Sequence, residues 1–369
     1  MQNTKYSYIL ILKLINCSTL TESFVFNWII FKCRDKMSMY DEISRFRRPI
    51  TIIIKSRLEP FILQGLRAAL ARINPNNEKL PILKKAYASR SAGYLGEKRV
   101  DQVFQNYSFA FKHKIFNGIS LTSSTNFQID SLFITQSYAV IFETKNLAGS
   151  IKVKNNPPQL VQTLDNGETR GFASPVCQVQ SNIELLQDWF HSRNISLPIY
   201  GVVVLAFPKK EVEVIQTEIQ FLYPSGIPSY IRKLPTAPQL LDEKSFSSLI
   251  KDLLSGDTEY IPRPISSIYS IPKSDLTTGV ACPSCSFFGM IKYRAGWRCP
   301  VCPEKSSDAH VQAIHDWFLL FGGKMTNKDC REFLKVDQRQ TSTRILQSMK
   351  LHTEGGKRNR TYAMTLDTK

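Results

Sequence analysis

Residues 138–149, YAVIFETKNLAG, end an apolar run on two charges set two apart, Glu143 and Lys145. A short continuous apolar run bounded by turn residues reads as a buried strand. Side chains two apart on a strand share a face. The stretch therefore sets a carboxylate beside an ammonium in a buried place. A packing ion pair is one explanation, and such pairs are common. A site that holds a metal and activates a water is the other.

Working outward, HKIFNGISL (113–121) and FQIDSLFIT (127–135) read as two strands preceding YAVIFETK. Before them GYLGEKRVDQVFQNY (93–107) reads as an amphipathic helix with Leu95, Val100, Val103 and Phe104 on one side. After them a loop is expected over about 147–173, then the helix SPVCQVQSNIELLQDWF (174–190), with Pro175 in its first turn. PIYGVVVLAF (198–207) reads as a central buried strand. The order helix, three strands, helix, strand predicts a compact α/β sandwich.

On the middle strand Gln128 and Asp130 share one face, so two neighbouring strands can present Asp130, Glu143 and Lys145 around one point. Glu97 from the first helix and Gln178 from the later one are candidates to join them. Two carboxylates suit a hard divalent cation such as Mg²⁺, and a lysine beside them can orient or deprotonate an attacking water. That chemistry fits phosphodiester hydrolysis. The spacing alone leaves the ion-pair explanation open.

In sequence order GEKRV (96–100), FQIDSLFI (127–134), YAVIFETKNLAG (138–149) and SPVCQVQSNIELLQ (174–187) resemble the motifs of the nuclease-related domain (NERD) family, placed in the PD-(D/E)xK nuclease superfamily. The resemblance covers about residues 91–206. It implies a restriction-endonuclease-like α-β-β-β-α-β core and a Mg²⁺-dependent nuclease, expected to be an endodeoxyribonuclease. It assigns Glu97 as the first-helix acid, Asp130 as the aspartate of the QID motif, Glu143 and Lys145 as the E-x-K pair, and Gln178 as the helix glutamine near the site. Glu97, Asp130 and Glu143 become the candidate Mg²⁺ ligands. One departure is visible: Ser174 precedes Pro175 where the family commonly has asparagine.

Further along, CPSC (282–285) and CPVC (299–302) give C-x2-C, thirteen residues, C-x2-C. Four thiolates suit tetrahedral Zn²⁺ at a closed structural site. Zinc through Cys282, Cys285, Cys299 and Cys302 is preferred to redox pairs or an iron–sulfur site, and the segment resembles a zinc ribbon. Beyond it SDAHVQAIHDWFLLFG (307–322), with Ser307 as cap, TNKDCREFL (326–334) and DQRQTSTRILQSM (337–349) read as three helices. KLHTEGGKRNRTYAM (350–364) reads as a hairpin turning at Gly355-Gly356. Three helices and a basic hairpin suggest a winged helix, with Arg339 and Arg344 in a groove and Lys357, Arg358 and Arg360 on phosphates. His310 and His315 are read as packing residues, since four cysteines already complete a zinc site.

The 369 residues carry a formal net charge of +17. So large a basic excess points to a polyanionic partner, either nucleic acid or an anionic membrane surface, and the family resemblance implies nucleic acid, expectedly DNA. Between Asp41 and Arg99 there are 13 Lys/Arg against 5 Asp/Glu, and PFILQGLRAALARI (60–73) has helical spacing. The remaining cysteines, Cys17, Cys33, Cys177 and Cys330, are scattered singly, which suits a reducing cytoplasm. In residues 1–38 the apolar runs are broken by Lys13 and Glu22 and fall short of the roughly 20 residues of a membrane helix. The segment is expected to be dispensable, with Met37 or Met39 as an alternative start, and a membrane partner is not expected. GGKMT (322–326) lacks P-loop spacing, and no small-molecule cofactor is called for. The expected organisation is an apolar segment 1–38, a basic helical segment 39–90, a nuclease-like domain 91–255, a linker 256–280, a zinc ribbon 281–305 and a nucleic-acid-binding module 306–369. The alternative is a non-catalytic nucleic-acid-binding or regulatory protein that uses the nuclease-like fold as a scaffold.

Overall fold

The computed structural model describes residues 53–207, 211–214, 217–258, 260–356 and 358–364. The chain divides into two units, 1–50 and 51–369, and every described residue belongs to the second. The expectations for residues 1–38 and for Lys357 lie outside the described residues.

The chain runs β1 (Ile53–Lys55), α1 (Phe61–Arg72), α2 (Leu80–Asn106), β2 (Lys114–Thr122), β3 (Asn126–Ile134), β4 (Ala139–Lys145), β5 (Ser150–Asn155), β6 (Pro158–Thr163), β7 (Thr169–Ala173) and α3 (Pro175–His191). It continues through β8 (Ile199–Leu205), β9 (Val212–Val214), β10 (Gln220–Leu222), α4 (Ile227–Lys233), α5 (Glu243–Gly256) and α6 (Ile265–Ile268). It ends in β11 (Ile291–Tyr293), β12 (Gly296–Arg298), β13 (Lys305–Ser306), α7 (Ala309–Phe321), β14 (Met325–Thr326), α8 (Asn327–Leu334), α9 (Arg339–Ser348), β15 (His352–Glu354) and β16 (Thr361–Ala363).

The central sheet has the order β1-β2-β3-β4-β8-β10. β2, β3 and β4 form an antiparallel meander, and β8 joins β4 in parallel after the crossover through α3. Six of the seven β4 residues are buried because helices cover both faces of the sheet. On one face Phe116, Ile129, Leu132, Leu186, Phe190 and Phe246 pack among the sheet, α3 and α5. On the other, Val100 and Phe104 of α2 and Ile227 of α4 meet Phe133, Phe142 and Val202. The predicted helix–three strands–helix–strand core is present. Its first helix begins earlier than expected, at Leu80, and Leu95 is exposed rather than on the buried face.

Two expectations need correction. The stretch 147–173 is no loop: β5, β6 and β7 make a second sheet with β9, in the order β7-β6-β5-β9. Ile151, Val153 and Leu160 are buried there against Val179 of α3 and Val203 of β8. Nor is the Pro/Ser-rich stretch 256–280 a free tether. Ile265, Ile271 and Leu276 are buried among Leu66, Ala69 and Leu320, so it is packed between α1 and α7. Proline and serine break regular structure, but three well-spaced apolar side chains suffice to bury the segment.

The cysteine segment forms the small sheet β11-β12-β13, and the tail forms β14-β16-β15 with α7, α8 and α9. The tail hairpin turns at Gly355, whose φ of +82° only glycine adopts without strain. Helix α7 starts one residue later than expected, with Asp308 and not Ser307 at its N-cap.

Arg72 joins α1 to this C-terminal half. Its guanidinium donates to Asp316 Oδ2 at 3.0 and 2.8 Å and to the carbonyls of Thr277 and Gly279 at 3.0 and 3.1 Å. It lies 4.7 Å from the ring centroid of Phe288 and 4.6 Å from that of Phe333. Removing one partner of a buried pair costs about 3–5 kcal/mol, because a charge is left uncompensated. Arg72→Ala is accordingly expected to lower the melting temperature sharply, and Arg72→Met with Asp316→Leu to recover most of the loss. Equal melting temperatures for Arg72→Ala and the parent would refute the tie.

Candidate functional site

The charges of the opening stretch lie where the central sheet splays. Gly118 of β2 has a φ of +69° and stands opposite Asp130, between the ladder pairs Asn117–Ser131 and Ile119–Ile129. This left-handed residue switches the phase of the strand. Phe116 before it and Ile119 and Leu121 after it all enter one core cluster, as do Ile129 and Leu132 on β3. The β3–β4 ladder ends at Ser131–Phe142, and beyond it Asp130 Oδ2 accepts the N–H of Thr144 at 2.8 Å. A side chain thus takes over from the backbone ladder, and the strand ends open around the acids.

Lys145 donates to Glu143 Oε1 at 2.7 Å and to Gln178 Oε1 of α3 at 2.9 Å. Glu143 is 2% exposed, and its other oxygen, Oε2, is buried with no hydrogen-bond partner. Burial first, and then the charge of Asp130, push Glu143 up to about 8 despite Lys145. Burial likewise raises Asp130, against the Thr144 N–H, Arg57 and Lys145. Glu97 is pushed up to about 7, chiefly by burial and then by Asp130. The charge of Asp130 thus adds to burial at both Glu143 and Glu97.

Glu97 is nevertheless drawn elsewhere. Arg57 Nη1 donates to Glu97 Oε2 at 2.7 Å, and Arg57 Nε donates to Asp101 Oδ2 at 2.9 Å. The same guanidinium reaches the Asp130 carbonyl and, at 3.2 Å, Ser131 Oγ. Among the described residues the four cysteines are the one group of three or more Asp, Glu, His or Cys close enough to share an ion. Glu97, Asp130 and Glu143 do not close into such a group; Arg57 pairs with Glu97, and Lys145 with one oxygen of Glu143. Sequence reasoning missed Arg57 and Asp101. Arg57 precedes every motif, and only the pairing of β1 with β2 brings it to the site. Asp101 lies four residues after Glu97 on one helix face, a signal that was readable.

Arg57→Gln is expected to leave Glu97 and Asp101 without their counter-charge and to cost about 3–5 kcal/mol. The sign with pH follows from linkage. Carboxylates whose folded-state pKa is raised bind protons more readily folded than unfolded, so the stability they contribute at low pH is lost as pH rises. Removing Arg57 raises them further. The melting-temperature deficit of Arg57→Gln should therefore be widest near pH 8 and shrink as pH falls through about 7, where Glu97 protonates. A deficit independent of pH would mean that Arg57 only fills space.

Gln178 sits on α3 behind Ser174, which occupies the N-cap without a capping bond and whose Oγ is buried and unpartnered. At the second centre, the Sγ atoms of Cys282 and Cys302, and of Cys285 and Cys299, are 3.6 Å apart, and all four lie within 4.8 Å of one another. Bonds of about 2.3 Å to a tetrahedral Zn²⁺ put the sulfurs about 3.8 Å apart, so the donor set fits the ion. Burial opposes ionisation of Cys299, but the N–H groups of Cys302 and Val301 help bring it down to about 7. His310 stays outside this group: its Nδ1 accepts from Trp297 Nε1 at 3.0 Å, as expected of a packing residue. In the tail, Arg339 and Arg344 are exposed on α9, Arg358 is exposed and Arg360 is half-buried at the hairpin.

A helix, an antiparallel three-stranded meander, a crossover helix and a parallel fourth strand, with acids and a lysine where the strands part, define a restriction-endonuclease-like core. Within it, residues 92–206 match the family model of the nuclease-related domain, NERD, so the chain carries that domain. No curated protein and no solved structure matches the chain. Among the described residues no helix is long and apolar enough to cross a membrane.

Proposed function

We propose that the protein is a Mg²⁺-dependent nuclease acting on DNA in the cytoplasm. The carrying observation is Glu143, a buried carboxylate with one oxygen on Lys145 and the other unpartnered, directly beyond the last β3–β4 ladder pair from Asp130. A buried, unpaired carboxylate oxygen is costly unless something cationic meets it. Asp130 and Glu143 would hold the Mg²⁺, with Glu97 as the further acid. When bound, the ion supplies charge neutralisation at the phosphoryl oxygens and a lowered pKa for a water. Lys145, fixed between Glu143 and Gln178, orients the attacking water or, once neutral, accepts its proton. Gln178 keeps the ammonium on the site side of α3. Because Glu143 and Glu97 must ionise to hold the cation, metal affinity should rise with pH up to about 8.

One observation favours the scaffold alternative: Arg57 already satisfies Glu97 without a metal. Mg²⁺-dependent cleavage of circular and linear DNA, with Lys145→Ala as control, decides between the two. A parent protein that cleaves no DNA or RNA would leave only the scaffold.

The tail order α7-β14-α8-α9-β15-β16 supports a winged helix with α9 as the recognition element. Removing residues 306–369 is expected to weaken duplex binding and flatten the dependence of log K on log salt, by about 0.9 for each phosphate the protein no longer neutralises. An unchanged slope would place the binding elsewhere.

A further inference from the structure

A cavity of about 410 Å³ opens beside the candidate site, with Glu97 in its wall. Arg90, Tyr94 and Glu97 follow one another at i, i+4 and i+7 on α2, and all three line it. They cover about 10 Å of the helix axis. Phe61 of α1 also lines the cavity. Asn117 of β2 contributes an amide that is 2% exposed and whose Oδ1 has no hydrogen-bond partner. Arg90 has no ion-pair partner among the described residues, and nothing in the catalytic reading uses it, Tyr94 or Asn117.

From this arrangement we infer that the cavity seats one nucleotide of a single-stranded substrate, next to the bond cut at the acids. The inference rests on the nuclease reading and names its substrate class. The free guanidinium of Arg90 suits a phosphate. The Tyr94 ring offers a stacking surface for a base, and a buried amide short of a partner suits a polar base edge. A cavity of this volume takes one nucleotide. A base seated in it cannot also be paired, so a duplex would first have to flip that base out, at about a few kcal/mol. A strand lying along α2 therefore reaches Glu97 unpaired, with its phosphate at Arg90 and a base over Tyr94.

The test uses the full chain and a 5′-labelled oligonucleotide, either single or annealed to its complement, with Mg²⁺ for cleavage and EDTA for binding. The parent should cleave the single strand at a kcat/KM at least about tenfold above the duplex. Tyr94→Ala and Arg90→Ala should each lower the single-strand value by about tenfold, the scale of a single stacking or phosphate interaction. Tyr94→Phe should keep it, and melting temperatures should not move. Cleavage of the duplex as fast as the single strand, with no effect of Tyr94→Ala, would overturn the inference and leave the nuclease reading standing. Adenosine monophosphate bound in a Tyr94-dependent way, with strand cleavage indifferent to Tyr94, would assign the cavity to free nucleotides and also overturn it. A parent that neither cleaves nor binds either form would sink both readings.

Discussion

Asp130→Ala and Glu143→Ala are expected to bring Mg²⁺-dependent cleavage to background, and Lys145→Ala to lower its rate about 10²–10⁴-fold with metal and DNA binding nearly intact. The reason is the division of labour at the splayed strand ends. On the proposed reading Asp130 and Glu143 are the main cation ligands, and Glu97, which Arg57 also pairs, is the further acid. Lys145 touches Glu143 and Gln178, so its loss removes the group that serves the water but leaves the carboxylates in place. Gln178→Ala should be milder, because a neutral amide only positions. A packing ion pair makes the opposite forecast: each single change would lower the melting temperature by stranding a buried charge, and Glu143→Gln with Lys145→Met would restore it. Melting temperatures and cleavage rates on the same variants separate the two accounts. Active Glu143→Ala protein would end the nuclease assignment of this site.

Cys282→Ser or Cys299→Ser is expected to release one equivalent of Zn²⁺ and unfold residues from about 280 to 305. Structural zinc contributes about 10–16 kcal/mol of apparent binding energy in small finger peptides, so the local loss should be severe. The ribbon is also part of a larger core, since Cys282, Cys299 and Trp297 pack in one cluster with Trp317, Phe333 and Leu346 of the tail. The damage should therefore spread into α7 and α8, visible as faster hydrogen exchange there. Native mass spectrometry that finds the parent without zinc would refute the assignment.

Much of this was readable from residues alone. The apolar run into Glu143 and Lys145, the alternation through Asp130 and the C-x2-C pairs depend on local periods and short spacings, which survive in any tertiary context. The three meander strands, α3 behind Pro175 and the Gly355 hairpin were legible for the same reason. β5, β6 and β7 were missed because they are short and largely polar, with Asn, Pro and Gly at the turns between them; the alternating Ile151 and Val153 and the Asp165-Asn166-Gly167 turn were a usable signal.

What only the tertiary structure decided is who meets whom across long separations. Arg57 reaches Glu97 and Asp101 because β1 adds to the sheet beside β2, and no pattern within residues 53–57 foretells a parallel pairing about 60 positions away. The same pairing puts Arg57 on Glu97, which the sequence by itself left as a candidate Mg²⁺ ligand beside Asp130 and Glu143. Arg72 finds Asp316 across 244 residues for a similar reason: its burial is set by the packing of α1 on α7, and a charge enters a core only where the fold brings its partner. Local sequence determined which groups the site contains, and long-range packing determined which of them are already spent on one another.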